Sequence, residues 1–490
     1  MVLEMNNKLS MKNAALVNIG AKYIVVILQL VYQAILARLL TPSDYGIVAV
    51  ITIFVNFFSL LADLGIGNAI IQNQELTQHD VNSIYSWSIR FAFVLGICFA
   101  ILSYPISVFY GDWVYIGIGM FLSISVIFSA LNMVPNALLL KKKNFILIGI
   151  RQIVVCIISS IIAVILAIMG ARYYALVAYS IVSSIITYFW NLHGSGLRFS
   201  LLYDKKSIQK VKSFSAYLFG FNVMNYFSRN LDNMLIGKKL GAEQLGYYNK
   251  AYQLMLYPMN NFTNVITPVL LPFLSEHQND KKYVYNQYIR TVKILSLLGV
   301  YITAFCFFAS KELIVILYGN QWIDSVKCFQ FLSVTIWSQM ICATSGSMFQ
   351  VLDCTKMQFQ RGLIATITTL SCIGIGVFSG SIEGTAFFVM LAYMSNFVTM
   401  LFFLIKGAFK ESVAGFMKLL LPDALIAVVL CVFFKLEAGF LIDSTLLSFL
   451  IKLCASGILY LILLIAFKQV RYFNILLPKS IVRKFQRTRK

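Results

Sequence analysis

The 490-residue sequence has few charged residues, and this scarcity excludes most classes of soluble protein. Only 12% of the residues are Asp, Glu, Lys or Arg, whereas 59% are apolar, and the mean hydropathy is +0.80. Soluble globular chains contain roughly 25% charged and about 45–50% apolar residues. The composition therefore argues against a cytosolic enzyme, a secreted disulfide scaffold and a nucleic-acid-binding protein.

The sequence also lacks motifs for metal binding, disulfide chemistry and ATP hydrolysis. Its three histidines are isolated, and no two of its nine cysteines form a Cys-x-x-Cys pair. Most of the cysteines lie in apolar runs, where buried free thiols are expected. No G-x-x-x-x-G-K-[ST] phosphate-binding loop is present, and no soluble segment is long enough for a catalytic domain. We therefore expect no cofactor, no metal site and no enzyme activity.

Long apolar segments recur along the whole chain and predict about fourteen transmembrane helices. Their regular spacing favours an all-α integral membrane protein. The predicted helices cover residues 13–40, 45–71, 82–109, 114–140, 144–169, 172–195, 213–238, 243–274, 283–309, 325–352, 358–380, 384–406, 414–436 and 444–467.

Positive charge is distributed unevenly among the loops that join these helices. If the N-terminus is cytoplasmic, the cytoplasmic side holds the basic segments 141–143 and 198–212 and the basic tail 468–490. The loops on the opposite side hold few basic residues, so the asymmetry predicts that both termini are cytoplasmic. We therefore expect the basic residues behind the net charge of +21 to set the orientation of the chain in the membrane and to contact anionic lipid headgroups. No nucleic-acid partner is expected.

Equivalent residues recur at a shift of 200 positions, which indicates an internal repeat. The aligned pairs include Gly46 with Gly246, Asp80 with Asp280, and Arg90 with Arg290. Six predicted helices separate the members of each pair, and this even number gives both halves the same orientation. The repeat predicts two six-helix lobes related by a parallel pseudo-twofold axis, followed by two C-terminal helices.

The repeat also predicts how the chain is divided. We expect an N-lobe at 1–195, a basic cytoplasmic linker at 196–212, a C-lobe at 213–406, helices 13 and 14 at 407–467, and a basic cytoplasmic tail at 468–490.

Polar and ionisable side chains inside the predicted helices are the candidates for a functional site. A charge in the hydrocarbon region costs at least ~2.5–3.5 kcal/mol, so it usually faces a wet cavity. The set leans cationic, which suits an anionic, hydroxyl-rich solute. The candidates for substrate binding are Lys22, Gln29, Arg90, Arg229, Lys250 and Arg290, and the candidates for a coupling cation are Asp63 and Asp232.

Structural roles for some of these residues stay open. Arg229 and Asp232 are three residues apart on one helix face, so they could neutralise each other. Asp63 could form a hydrogen bond between helices instead of binding a cation. Arg151, outside the candidate set, could extend to the headgroups because long basic side chains reach the interface.

Two motifs in the first half resemble one known family. The segment 37–46 reads Ala-Arg-Leu-Leu-Thr-Pro-Ser-Asp-Tyr-Gly, the segment 63–67 reads Asp-Leu-Gly-Ile-Gly, and the second half repeats part of the pattern at 239–248. These segments resemble the opening of Wzx-type polysaccharide flippases, which belong to the multidrug/oligosaccharidyl-lipid/polysaccharide exporter superfamily. The resemblance extends over essentially the whole chain.

This resemblance implies a flippase of the bacterial cytoplasmic membrane that serves the biosynthesis of O-antigen, capsule or exopolysaccharide. Its substrate would be undecaprenyl-diphosphate-linked oligosaccharide, moved by alternating access through a cationic cavity and coupled to a proton or sodium gradient. Helices 13 and 14 would guide the lipid tail, and glycan polymerases or transferases would be partners. The alternatives are a multidrug exporter of the same superfamily, which would have a more acidic cavity, and a membrane glycosyltransferase or polymerase, which would need a longer outer loop.

Overall fold

Helices make up almost all of the computed structural model. The structure describes residues 11–63, 66–73, 75–142, 144–197, 204, 207–208, 216–275, 277–278, 280–437 and 444–473, and no β-strand occurs within these ranges. The prediction of an all-α fold is therefore confirmed. Most of the predicted linker and of the predicted basic tail lies outside the described residues.

The helices are numbered α1 to α20 in chain order. They are α1 Met11–Leu39, α2 Pro42–Asp63, α3 Ile66–Gln72, α4 Gln78–Tyr110, α5 Val114–Leu131, α6 Met133–Lys141, α7 Phe145–Ile168, α8 Tyr174–Ser195, α9 Ala216–Lys239, α10 Ala242–Ser275, α11 Lys281–Phe308, α12 Ser310–Tyr318, α13 Ser325–Ser333, α14 Ile336–Cys342, α15 Ser345–Val351, α16 Thr355–Phe378, α17 Ile382–Met400, α18 Val413–Glu437, α19 Thr445–Ala466 and α20 Val470–Phe473. A 3₁₀ turn follows α12 at Asn320–Trp322, and a π-helical segment, Leu401–Ala408, continues α17.

Eleven helical segments among the described residues are long and apolar enough to cross a membrane. This supports the predicted multi-pass membrane protein, although the predicted count of fourteen is not confirmed. The predicted spans 213–238 and 243–274 form α9 and α10, whose polar side chains make them less hydrophobic than the eleven.

The predicted span 325–352 is wrong as a single helix, because the structure divides it into α13, α14 and α15. Hydroxyl groups at the two breaks bond to carbonyl oxygens one turn earlier. Thr335 Oγ1 donates to the Leu332 carbonyl at 2.6 Å, and Thr344 Oγ1 donates to the Ile341 carbonyl at 3.0 Å. Such bonds compete with the helical hydrogen-bond ladder and favour a bend.

Acidic side chains fix the starts of the two repeat-related helices α4 and α11. Asp80 Oδ2 accepts a hydrogen bond from the Thr77 backbone N–H at 3.0 Å, which completes a capping box at the start of α4. Asp280 Oδ1 accepts from the Tyr283 backbone N–H at 2.9 Å and caps α11. The aspartates aligned by the 200-residue shift therefore both stabilise a helix start, Asp80 from the third helical position and Asp280 from the N-cap position.

The chain forms two compact units, residues 1–246 and 247–490. In the first unit, α4 packs on α5, α7 packs between α1 and α8, and α9 packs on α2. In the second unit, α16 packs on α17, and α11 packs on both α14 and α18. The boundary between the units falls within α10, so α9 belongs to the first unit. The predicted lobe boundary at 196–212 stays a prediction.

Candidate functional site

The three arginines predicted to bind substrate all have exposed side chains. Arg90 lies on α4 about 18 Å from the first residue of the helix, and Arg290 lies on α11 about 14 Å from its first residue, at 1.5 Å per residue. Arg229 is exposed on α9. An exposed guanidinium presents donors in a planar fork that matches the oxygens of a phosphate.

On α4, the exposed face continues from Arg90 into apolar residues. Phe93, Ile97 and Ile101 are exposed on the same side of the helix, 51%, 59% and 68% respectively. Arg90 therefore lies at the polar end of an apolar stripe. A ligand that contacts this face would meet a positive charge beside hydrocarbon.

Polar side chains of α1 share one face of that helix. Lys22, Gln29 and Gln33 are separated by seven and four residues, which places them one above the other. All three are half-buried. The buried amide oxygen of Gln33 has no hydrogen-bond partner among the described residues. This face is thus a polar stripe along a helix that is otherwise largely apolar.

Lys250 has a different environment, because its side chain is buried inside the second unit. The Lys250 ammonium lies 5.1 Å from the ring centre of Tyr318 and 6.0 Å from that of Trp322. Tyr247 packs edge-on against Trp322. Aromatic faces stabilise a cation electrostatically. The Lys250 ammonium is therefore enclosed within the second unit rather than displayed on its surface.

Asp232 is buried on α9, whereas Arg229 one turn earlier is exposed. Asp232 Oδ1 accepts a hydrogen bond from the Asn233 backbone N–H at 2.8 Å. In the described part of the chain, no ion pair joins Arg229 to Asp232. The guanidinium is therefore not neutralised by its neighbour on the same helix.

Asp63, at the end of α2, lines a pocket of about 260 Å³ in the first unit. Its Oδ1 accepts a hydrogen bond from the Gly67 backbone N–H at 3.3 Å. The other lining residues come from α2, α3, α5 and α6 and from the turn between the last two, and they are Ser59, Ala62, Gly67, Ile71, Ser129, Asn132, Met133, Asn136, Ala137 and Leu140.

Sequence reasoning missed the polar network behind this pocket. Arg151 on α7 is buried, and its Nη1 donates to Asn136 Oδ1 at 3.2 Å and to Asn191 Oδ1 at 2.6 Å. Asn191 Nδ2 donates in turn to Asn132 Oδ1 at 2.7 Å. The guanidinium therefore points into the first unit, and the suggestion that Arg151 extends to the headgroups is wrong.

Sequence reasoning also missed a buried ion pair in the second unit. Lys293 on α11 pairs with Asp423 on α18, and both side chains are at most 1% exposed. Ser296 Oγ donates to Asp423 Oδ2 at 2.6 Å, and Trp337 Nε1 donates to Ser296 Oγ at 2.9 Å. The signal in the sequence was Asp423 itself, a lone carboxylate in an otherwise apolar stretch of α18.

A second ion pair attaches α19 to the same unit. Lys452 donates to Glu312 Oε1 on α12, and Ser448 Oγ donates to the same oxygen at 2.9 Å. Burial alone would raise the pKa of Glu312, but the hydrogen bonds from Lys452 and Ser448 outweigh it and hold the pKa below its ordinary value. Both C-terminal helices are therefore joined to the second unit through charged side chains.

The predicted residues are distributed over both units. Lys250 and Arg290 belong to the second unit, whereas the first unit holds Lys22, Gln29, Asp63, Arg90, Arg229 and Asp232. Within the first unit, only Asp63 of the predicted residues lines the pocket. The other lining residues lie on helices whose contact near Asp63 could not be predicted from residue spacing.

The helical architecture and the apolar spans define a multi-pass membrane protein. The model of the family described as "Polysaccharide biosynthesis protein" matches residues 35–327, and the chain belongs to this family.

Comparison with individual proteins gives the same picture. The sequence is 23% identical to a Klebsiella pneumoniae protein named "Uncharacterized membrane protein in cps region", over 78% of this chain and 79% of that protein. It is also 23% identical to the lipopolysaccharide biosynthesis protein WzxC of Escherichia coli (strain K12), over 80% of each chain. The fold is similar to that of the lipid II flippase MurJ in an inward closed conformation, with a TM-score of 0.72 at 16% identity, over 93% of this chain and 99% of that chain.

Proposed function

We propose that this protein is a flippase that moves an undecaprenyl-diphosphate-linked oligosaccharide from the cytoplasmic to the outer leaflet of the bacterial cytoplasmic membrane. Membership of the polysaccharide biosynthesis family, the similarity to WzxC and the MurJ-like fold support the proposal. The product would feed the assembly of O-antigen, capsule or exopolysaccharide, with glycan polymerases or transferases as partners.

The observation that carries the proposal is the exposure of Arg90 and Arg290, two guanidinium groups at equivalent positions of the repeat. A diphosphate with attached sugars cannot cross hydrocarbon unaided, because its charges and hydroxyls would lose their hydration. Arginine compensates for this loss by donating paired hydrogen bonds to phosphate oxygens. Each of the two guanidiniums has the donor geometry to hold one phosphate group.

The remaining candidates would have supporting roles in an alternating-access cycle. The polar stripe of α1, with Lys22 and Gln29, would contact the sugars, and Arg229 would add a third exposed positive charge. A proton or sodium gradient would drive the cycle, with Asp232 as the candidate carboxylate for the coupling ion. Both termini would be cytoplasmic, because the basic loops and tail favour that side.

A transport assay in proteoliposomes tests the proposal. The purified full-length chain would be reconstituted with a fluorescent undecaprenyl-diphosphate oligosaccharide, and a membrane-impermeant quencher would report the fraction in the outer leaflet over time. We expect movement well above that in protein-free liposomes. A fluorescent phospholipid is the matched control for non-specific scrambling. Movement no faster than in protein-free liposomes, or equal movement of the phospholipid, would overturn the proposal.

A further inference from the structure

The pocket in the first unit has two chemically different walls. Asp63 and the backbone N–H of Gly67 lie on one side, contributed by α2 and α3, and Asn132 and Asn136 lie on the other. Its volume of about 260 Å³ corresponds to roughly nine waters at ~30 Å³ each. This is far more space than a dehydrated cation needs, because oxygen ligands approach such ions within about 2.0–2.6 Å.

Arg151 determines which side-chain atoms Asn132 and Asn136 turn toward the pocket. A guanidinium can only donate hydrogen bonds, so Asn136 and Asn191 must both turn their oxygens toward it. Asn191 Nδ2 then faces the oxygens of Asn132 and Asn136, at 2.7 and 3.5 Å. The Nδ2 groups of Asn132 and Asn136 are left over, and among the described residues neither has an acceptor. Because both residues line the pocket, its second wall offers hydrogen-bond donors.

The opposite wall offers an acceptor. Asp63 uses one carboxylate oxygen for the Gly67 N–H, and the side chain is exposed at the pocket. A Cβ atom at Gly67 would lie 2.9 Å from Asp63 Oδ1, so glycine lets the carboxylate rest against the backbone of α3. The carboxylate of Asp63 is therefore held in place by the backbone of Gly67.

The two walls also carry opposite charge. Arg151 is buried, and no carboxylate in the described ranges forms an ion pair with it. Its positive charge therefore lies behind the wall that Asn132 and Asn136 form. Asp63 supplies the negative charge on the acceptor wall. A cation would be repelled by one wall and an anion by the other. A neutral ring with several hydroxyl groups fits both, because each hydroxyl both donates and accepts.

From this arrangement we infer that the pocket binds one neutral sugar residue, with Asp63 accepting from its hydroxyls and Asn132 and Asn136 donating to its oxygens. The inference rests on the proposed function, since a chain that handles lipid-linked glycans would meet such a ring. The pocket would then select for the identity of one sugar in the glycan, separately from the arginines that would hold the diphosphate.

Saturation-transfer NMR on the full-length protein in lipid nanodiscs tests the inference, with free glucose, galactose, N-acetylglucosamine and rhamnose as probes. We expect at least one of these sugars to bind. The isosteric Asp63→Asn variant removes the charged acceptor and should lower the affinity for that sugar about tenfold, the effect of one hydrogen bond to a charged group. Gly67→Ala should lower the affinity as well, because the added methyl displaces the Asp63 carboxylate. Asp112→Asn, on an exposed residue outside the pocket, is the matched control and should bind as the wild type does.

Asn132→Asp separates the sugar site from a cation site. It keeps the oxygen that accepts from Asn191 and replaces the pocket-facing amide by a carboxylate oxygen. Sugar binding should weaken, whereas sodium binding, followed by ²³Na NMR, would strengthen if the pocket held a cation, and that result would overturn the inference. Glycan transport without binding of any probe sugar would also overturn it while leaving the flippase proposal intact. Sugar binding without glycan transport would count against the flippase proposal alone.

Discussion

Gly46 and Gly246 lie where the starts of α2 and α10 meet backbone to backbone. A Cβ atom at Gly46 would lie 1.6 Å from the Ala242 carbonyl oxygen, and one at Gly246 would lie 2.0 Å from the Pro42 carbonyl oxygen. The contact is reciprocal, because Pro42 and Ala242 are themselves 200 residues apart. Residues matched by the internal repeat are therefore packed against each other at positions where only glycine fits.

We expect Gly46→Ala and Gly246→Ala to prevent this close approach. Each added methyl must push the opposing backbone away, since neither carbonyl belongs to a flexible side chain. In proteoliposomes the rate of glycan movement should fall at least tenfold, while the protein still inserts and purifies as a monodisperse species.

Gly362→Ala is the control for this pair of substitutions. Gly362 lies within α16, and a Cβ atom added there would meet no atom from outside its own helix backbone within 4 Å. Alanine should therefore be tolerated at this position. Wild-type transport by both Gly46→Ala and Gly246→Ala would show that the contact has no part in the transport cycle.

The buried Lys293–Asp423 pair should be sensitive to loss of either partner. Removing one member, as in Asp423→Leu or Lys293→Met, leaves an unpaired charge in the interior and should cost about 3–5 kcal/mol. The double variant Lys293→Met with Asp423→Leu leaves no charge and should recover most of that loss. Thermal unfolding in detergent checks this, and a double variant as unstable as the sum of the singles would contradict it.

The Glu312–Lys452 pair should make the second unit less stable in acid. Because the pKa of Glu312 is lowered in the folded protein, its contribution is complete above the ordinary glutamate pKa of about 4.3 and is lost as the pH falls through the lower folded value. Glu312→Gln should remove this dependence. Melting temperatures measured from pH 7 to pH 3 should therefore converge for the two proteins at the acidic end. A wild-type curve parallel to that of Glu312→Gln would rule out this role.

Arg90→Ala and Arg290→Ala should each reduce glycan movement strongly without affecting membrane insertion. Both guanidiniums are exposed, so the loss should appear in transport and in the affinity for diphosphate, and thermal unfolding of each variant measures any separate effect on stability. Arg90→Lys and Arg290→Lys should retain partial activity, because lysine keeps the charge and loses the paired donor geometry. Transport at the wild-type rate by both alanine variants would reject the assignment.

Periodicity and composition were sufficient for the local elements. The apolar runs predicted α4, α7, α8 and most other helices to within a few residues, because a bilayer-spanning helix must present about twenty apolar residues regardless of its neighbours. The structure divides the predicted helix 114–140 at Asn132. It also divides the predicted helix 325–352, where Thr335 and Thr344 form bonds to backbone carbonyls that are not visible in hydropathy.

The candidate site was only partly predictable from the sequence. Arg90 and Arg290 were selected because the 200-residue shift aligns them, and their role in substrate binding stays a prediction. Arg151 was not recognised as an internal group, because its partners Asn136 and Asn191 lie 15 and 40 residues away on other helices. Lys250 was predicted to bind substrate, and hydropathy gave no indication that its ammonium lies beside the rings of Tyr318 and Trp322.

The sequence alone determined that this is an α-helical membrane protein, since the length and spacing of its apolar runs are properties of the chain taken in order. Only the tertiary structure decided which polar groups meet. Lys293 finds Asp423 across 130 residues, and Asn191 finds Asn132 across 59. Such pairings depend on how the helices rotate and pack. The order of residues shows which polar groups share a helix face, but only the packed helices show which other helix that face contacts.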